Sequence, residues 1–95
     1  MKLSDEQVQA RLAGLPGWRR DGDEIVRDLR FANFKAAMAF VNQVADRAEA
    51  ADHHPDMLVH GWNNVRLRVT THDQGGLTEK DFALAEGIEG LLPGD

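Results

Sequence analysis

Residues 33–55 read NFKAAMAFVNQVADRAEAADHHP, and the arrangement of the whole chain turns on this stretch. Phe34, Ala37, Met38, Val41, Ala45 and Ala48 recur at a three-and-four spacing, which predicts an amphipathic helix with Asn33 as its N-cap. Pro55 disfavours helical geometry at His54, so the helix has to stop near Ala51. His53 and His54 therefore leave the longest element of the chain on a constrained corner.

Downstream of that corner, Met57 to Trp62 and Val65 to His72 predict two strands joined around Asn63-Asn64. Period-two alternation puts Val65, Leu67, Val69 and Thr71 on one face and Arg66, Arg68, Thr70 and His72 on the other. Gly75-Gly76 ends the strand. Leu77-Thr78-x-x-Asp81-Phe82 then combines a capping box with a hydrophobic staple, opening a last helix that carries Ala85, Ile88 and Leu92. Upstream, Trp18-Arg19-Arg20 and Ile25 to Phe31 flank Asp21-Gly22, a dipeptide suited to a tight hairpin. Leu3-Ser4-x-x-Gln7-Val8 starts a first helix by the same box and staple, and that helix should end near Gly14.

The order helix, hairpin, long helix, hairpin, helix predicts an α+β fold: a four-stranded antiparallel sheet with helices packed on one face. No linker or internal repeat interrupts it, so residues 1–95 are expected to form one domain. The opposite sheet face would be partly bare. A small sheet with free edges invites a second copy, so a homodimer or homotetramer is expected.

Composition narrows the chemistry. With 42% apolar and 28% charged residues the chain has a globular balance, and the absence of cysteine removes disulfides and thiolate chemistry. A net charge of −5 argues against nucleic acid as a partner. Arg66 and Arg68 form the densest basic cluster, read as a solvated or subunit-facing row. Met1 to Glu6 turns acidic at once and no stretch could span a bilayer, so no membrane partner and a cytoplasmic location are expected.

Three of the four histidines fall in Glu49-x-x-x-His53-His54-Pro55 and Thr70-Thr71-His72-Asp73. An unperturbed pKa of about 6.5 suits histidine to giving and taking protons near neutrality. Any one of them alone would serve a cap or the surface, but a helix exit and a strand end that met would converge all three on one pocket. Metal binding is the rival reading, since Glu49, Asp52, His53, His54 and His72 are permitted ligands. The spacing disfavours it: adjacent residues on an extended segment point apart, and no helical His-x-x-x-His is present. His60 reads as structural, and Asp81 is accounted for as a helix-capping residue. Trp18 and Trp62 read as core or interface residues, although such a ring could also wall a flat heterocycle.

Glu49-x3-His53-His54-Pro55, Trp62, His72 and Asp81, with Gly17-Trp18, Phe31-x-x-Phe34 and Gly76-Leu77-Thr78-Glu79-Lys80-Asp81, resemble the signature of the pterin-4a-carbinolamine dehydratases over nearly the whole chain. Two departures stand out. Trp62 occupies a position more usually held by tyrosine, and one additional residue after Pro55 predicts a shifted or bulged third strand.

The resemblance implies a hydro-lyase that converts a 4a-hydroxytetrahydropterin, left by an aromatic amino-acid hydroxylase, into the quinonoid dihydropterin, with no metal and no redox cofactor. By the same resemblance the substrate is held by Glu49, Asp52, His53, His54, Thr70, Thr71, His72 and Asp73. His53, His54 and His72 are the catalytic candidates. His53 and His72 are expected to move protons, His54 to position substrate or act as a second acid, Glu49 to orient a histidine or touch the pterin, and the threonine hydroxyls to bind its amide-like edge. Some animal proteins resembling this family stabilise dimers of a homeodomain transcription factor, so a non-catalytic binding module is the alternative.

Overall fold

The computed structural model describes residues 1–93, so the last two residues of the expected domain lie outside the described residues. Three helices, α1 (Asp5–Leu12), α2 (Phe34–Ala51) and α3 (Glu79–Glu89), accompany four strands, β1 (Trp18–Asp21), β2 (Glu24–Arg30), β3 (Asp56–His60) and β4 (Asn64–Val69). The strands form one antiparallel sheet in the order β1-β2-β4-β3. The α+β class and its strand number are as the pattern of elements predicts.

Local chemistry sets the helix starts. Ser4 and Gln7 form a reciprocal capping box, as do Thr78 and Asp81, and the Asn33 side chain accepts from the Ala36 N–H at 2.8 Å. α2 ends by turning left-handed at Asp52 (φ 50°, ψ 42°), with the His53 N–H reaching back 3.1 Å to the Ala48 carbonyl. Aspartate tolerates this conformation better than most residues with a Cβ. Together with Pro55, the reversal swings the histidine pair off the helix axis.

The core lies between the helices and one sheet face, where Ile25, Val65, Leu67 and Val69 meet Val44, Phe40, Phe82 and Ile88. Within α2 the buried stripe is Ala37, Phe40, Val44 and Ala48, whereas Phe34 is 54% exposed and Met38, Val41 and Ala45 are only partly covered. The expected apolar face was therefore drawn one step around the helix. Nearly every α2 position on that side is apolar, so spacing alone does not select the row that meets the sheet.

Four further differences concern the hairpins and the last helix. β3 pairs one-to-one with β4 from Asp56–Arg68 to His60–Asn64, so the expected bulge is absent. The turn is Gly61-Trp62-Asn63, displaced from Asn63-Asn64, with positive φ at both Gly61 (53°) and Trp62 (59°). Asn63 is buried and stitches this turn to Phe31 by two 2.8 Å hydrogen bonds, one through its carbonyl and one through its side chain. β4 stops at Val69: Thr71 makes an isolated bridge to Gly76, and His72–Gln74 form a short 3₁₀ turn. Leu92 lies beyond α3, half-buried against the core.

On the opposite sheet face, Asp28 binds both Arg19 and Arg66, and Arg68 bridges Asp21 and Glu24. These pairs lie over Val26, which is fully buried although it sits outside the core cluster. The arginine stems thus supply apolar cover while their heads stay wet.

Candidate active site

The end of α2, the end of β4 and the start of α3 meet at one corner. An open hollow of about 400 Å³ there is lined by Asp52, His53, His54, Thr70, Thr71, His72, Asp73 and Lys80. Seven of the eight residues expected to hold substrate are among them, and Glu49 stands one step behind. His60 lies on the edge strand β3, outside the hollow.

Asp81 organises the corner. It is 0% exposed, and its two oxygens receive three partners: His53 Nε2 on Oδ1 at 2.6 Å, and the Thr78 N–H and Thr71 Oγ1–H on Oδ2 at 2.8 Å each. A carboxylate only accepts, which fixes the direction of the rest. The Thr71 hydroxyl donates to Asp81 and accepts from Thr78, whose own oxygen accepts from the Lys80 N–H. Sequence reasoning assigned Asp81 only a cap. The capping is real, but the second oxygen holds His53, and the signal for it was the placement of Asp81 within the motif that contains the histidines.

The bond from Nε2 to Asp81 leaves Nδ1 as the free ring nitrogen of His53. Its side chain is mostly buried, which holds the ring in place. His54 is more exposed, and its Nε2 lies 2.5 Å from Glu49 Oε2, with Glu49 itself largely exposed. His72 opens the 3₁₀ turn and is exposed to the hollow.

The hydroxyls of both threonines also have partners within the protein. Thr71 is buried with its hydroxyl committed to Asp81 and Thr78, while Thr70 Oγ1 donates to the Asp23 carbonyl at 2.5 Å. Their side chains brace the corner, and both residues line the hollow together with the histidines, Asp52, Asp73 and Lys80.

Trp18 is buried and donates from Nε1 to Glu89 at 2.6 Å, as a core residue should. Trp62 is 61% exposed at the tip of the β3–β4 hairpin, the end remote from the histidine corner. It is neither a core residue nor a wall of this hollow.

Among the described residues no group of three or more His, Asp or Glu side chains is arranged to hold a metal ion. Each of the two paired histidines instead donates to a single carboxylate, His53 to Asp81 and His54 to Glu49.

The result is a small α+β domain in which a helix exit and a strand end bring three histidines to one hollow beside a buried carboxylate. Known proteins place it further. A sequence profile described as pterin 4 alpha carbinolamine dehydratase matches residues 1–91, and the chain belongs to that family. A Chloroflexus aurantiacus protein provisionally named pterin-4-alpha-carbinolamine dehydratase is 54% identical over 91 residues, covering 96% of this chain and 97% of its own. A protein of Acidobacterium capsulatum with the same provisional name is 52% identical over 96% of this chain and 98% of its own. The crystal structure of a Brucella melitensis protein described as a transcriptional coactivator/pterin dehydratase superposes with a TM-score of 0.89, at 30% identity over 95% of this chain and 97% of that one. A pterin dehydratase-like protein described as a RuBisCO assembly factor in the alpha-carboxysome shares the fold, with a TM-score of 0.69, 20% identity and coverage of 85% and 95%.

Proposed function

We propose that this chain dehydrates a 4a-hydroxytetrahydropterin to the quinonoid dihydropterin by histidine general acid–base catalysis. The carbon-4a hydroxyl leaves with a proton as water, N5 gives up its proton, and the N5 lone pair closes the carbon-4a–N5 double bond. One base and one acid suffice.

The observation that carries the reading is the hydrogen bond from His53 Nε2 to buried Asp81 in a residue that lines the hollow, since it leaves Nδ1 as the ring nitrogen not held by the carboxylate. His53 is assigned as the base at N5 and His72 as the acid at the departing hydroxyl. His54, steadied by Glu49, positions the substrate or serves as a second acid, while Asp52 and Asp73 supply acceptors for the amino and ring N–H groups of a pterin. Thr70 and Thr71 act through the backbone and by bracing. The reaction needs no metal or redox cofactor. Its substrate would come from an aromatic amino-acid hydroxylase, and the protein would act in the cytoplasm as a homodimer or homotetramer.

The test is direct: the purified protein is added to freshly generated carbinolamine and the ultraviolet change of dehydration is followed. Loss of water no faster than the uncatalysed reaction overturns the proposal. A non-catalytic binding role is the second reading, favoured by the shared fold of the assembly factor and by exposed apolar residues such as Leu58 on β3. It predicts an inactive protein whose phenotype follows surface substitutions rather than those at His53 or His72.

A further inference from the structure

A second hollow, of about 360 Å³, lies between α2 and α3 and shares His53 and Lys80 with the histidine corner. Its floor is made of short side chains, Ala51, Ala83 and Gly87 among them, which leave room between the helices. Arg47 stands at one end and Lys80 at the other. Among the described residues no carboxylate lines this groove, in a chain whose net charge is −5.

Among the described residues six arginines have a carboxylate within 4.0 Å, but neither Arg47 nor Lys80 does. Arg47 is also laid along the groove: a Cβ at Gly87 would stand 3.4 Å from its Cδ, so the missing side chain gives the arginine stem its seat. Lys80 follows the capping residue Thr78 by two positions and precedes Asp81, so the buried network that holds His53 also fixes the backbone beneath the ammonium.

Resting on the dehydratase reading, we propose that this groove receives the substituent on carbon 6 of the pterin and selects substrates in which that substituent is an anion, a carboxylate or a phosphate ester, bound by Lys80 and Arg47. A pterin ring at the histidine corner with N5 at His53 has carbon 6 adjacent to N5, so its substituent leaves the ring on the side of His53, one of the two residues that both hollows share. Charge-assisted hydrogen bonds from a guanidinium and an ammonium suit an oxyanion, and the small-residue floor accommodates a short linker.

The test compares dehydration of the 4a-carbinolamines of 6-methyl-, 6-carboxyethyl- and 6-phosphooxymethyl-tetrahydropterin at low salt. The two anionic substrates should show kcat/KM about tenfold above the methyl compound, the scale of one or two charge-assisted contacts, with the carboxylate and phosphate arms telling which oxyanion is preferred. That preference should shrink with added salt. Arg47→Gln and Lys80→Gln should each reduce it severalfold, chiefly through KM. Equal kcat/KM for all three substrates, or a preference that survives in the double variant, overturns the inference while leaving the dehydratase reading intact. If no carbinolamine is accelerated the dehydratase reading falls instead. Calorimetric titration with the three tetrahydropterins then decides the groove alone: tighter binding of the anionic pair supports it, and equal affinity overturns it.

Discussion

Asp81 Oδ1 lies 2.6 Å from His53 Nε2, a bond that closes a gap of 28 residues in sequence and joins the start of α3 to the exit of α2. The same carboxylate holds Thr71 and caps its own helix, so one buried group sets both the ring orientation and the local backbone.

Asp81→Asn should therefore damage stability and activity together. The amide presents one acceptor oxygen where two are needed and leaves a donor facing a donor, a loss of about 1–3 kcal/mol for a buried group. Dehydration should slow by about a hundredfold, because His53 loses the partner that directs its free nitrogen. Thermal melts and dehydration kinetics on the same preparation check this. A destabilised protein with an unchanged rate would reduce Asp81 to a cap.

His53→Ala and His72→Ala should each slow dehydration by about a hundredfold or more, the usual scale for a lost acid or base. His60→Ala should change little, since that residue sits at the far end of the edge strand, paired with Asn64 and outside the hollow. The double variant at His53 and His72 should lose less than the product of the single effects. Equal damage from His60→Ala in a folded protein would misplace the site.

Dialysis against a strong chelator should leave the rate unchanged, because both steps are proton transfers. Stoichiometric zinc or iron in the active protein, with activity lost on its removal, would show that the histidines are ligands instead.

Arg66, and after it Arg19, hold the Asp28 carboxyl down at about 2 from an ordinary value near 3.8. A depressed pKa contributes stability that is complete above the unfolded value and is lost as the pH falls from about 4 towards 2. Asp28 is 41% exposed, so screening limits the contribution to about 1 kcal/mol or less. Asp28→Asn should flatten that part of the acid unfolding curve, and a curve identical to that of the parent would mean the pairs over Val26 carry no stability.

β3 lies at the sheet edge with Leu58 52% exposed, which leaves a strand able to accept a partner. Light scattering at micromolar concentration should return a mass of two or four chains, and a strictly monomeric mass would refute self-association.

The parts of the fold legible in sequence are those encoded within four residues. Ser4 with Gln7, Asn33 with Ala36, and Thr78 with Asp81 announce three helix starts locally, and Pro55 announces one stop. Alternation along β4 was equally plain, because one face is apolar and the other carries arginine. Phe34 and Trp62 are exposed, because an apolar character expresses a preference for burial and says nothing about whether neighbours of the same chain are within reach. The histidine corner was readable as a set of residues, but its wiring was not: the bonds from Asp81 to His53 and to Thr71 depend on packing between elements. Lys80 was overlooked for the same reason.

The chain also fastens its beginning to its end. The Leu3 N–H bonds the Leu77 carbonyl, Arg11 pairs with Glu79, and Trp18 and Arg27 share one oxygen of Glu89. Contacts of such long sequence separation are slow to form, since much of the chain must be ordered before they close. The first hairpin emerges from the ribosome well before the helix that secures it, so its apolar face has to wait for synthesis to reach Glu89. Folding of that hairpin then waits on α3, and a product stalled within α3 would leave its apolar face open to proteases.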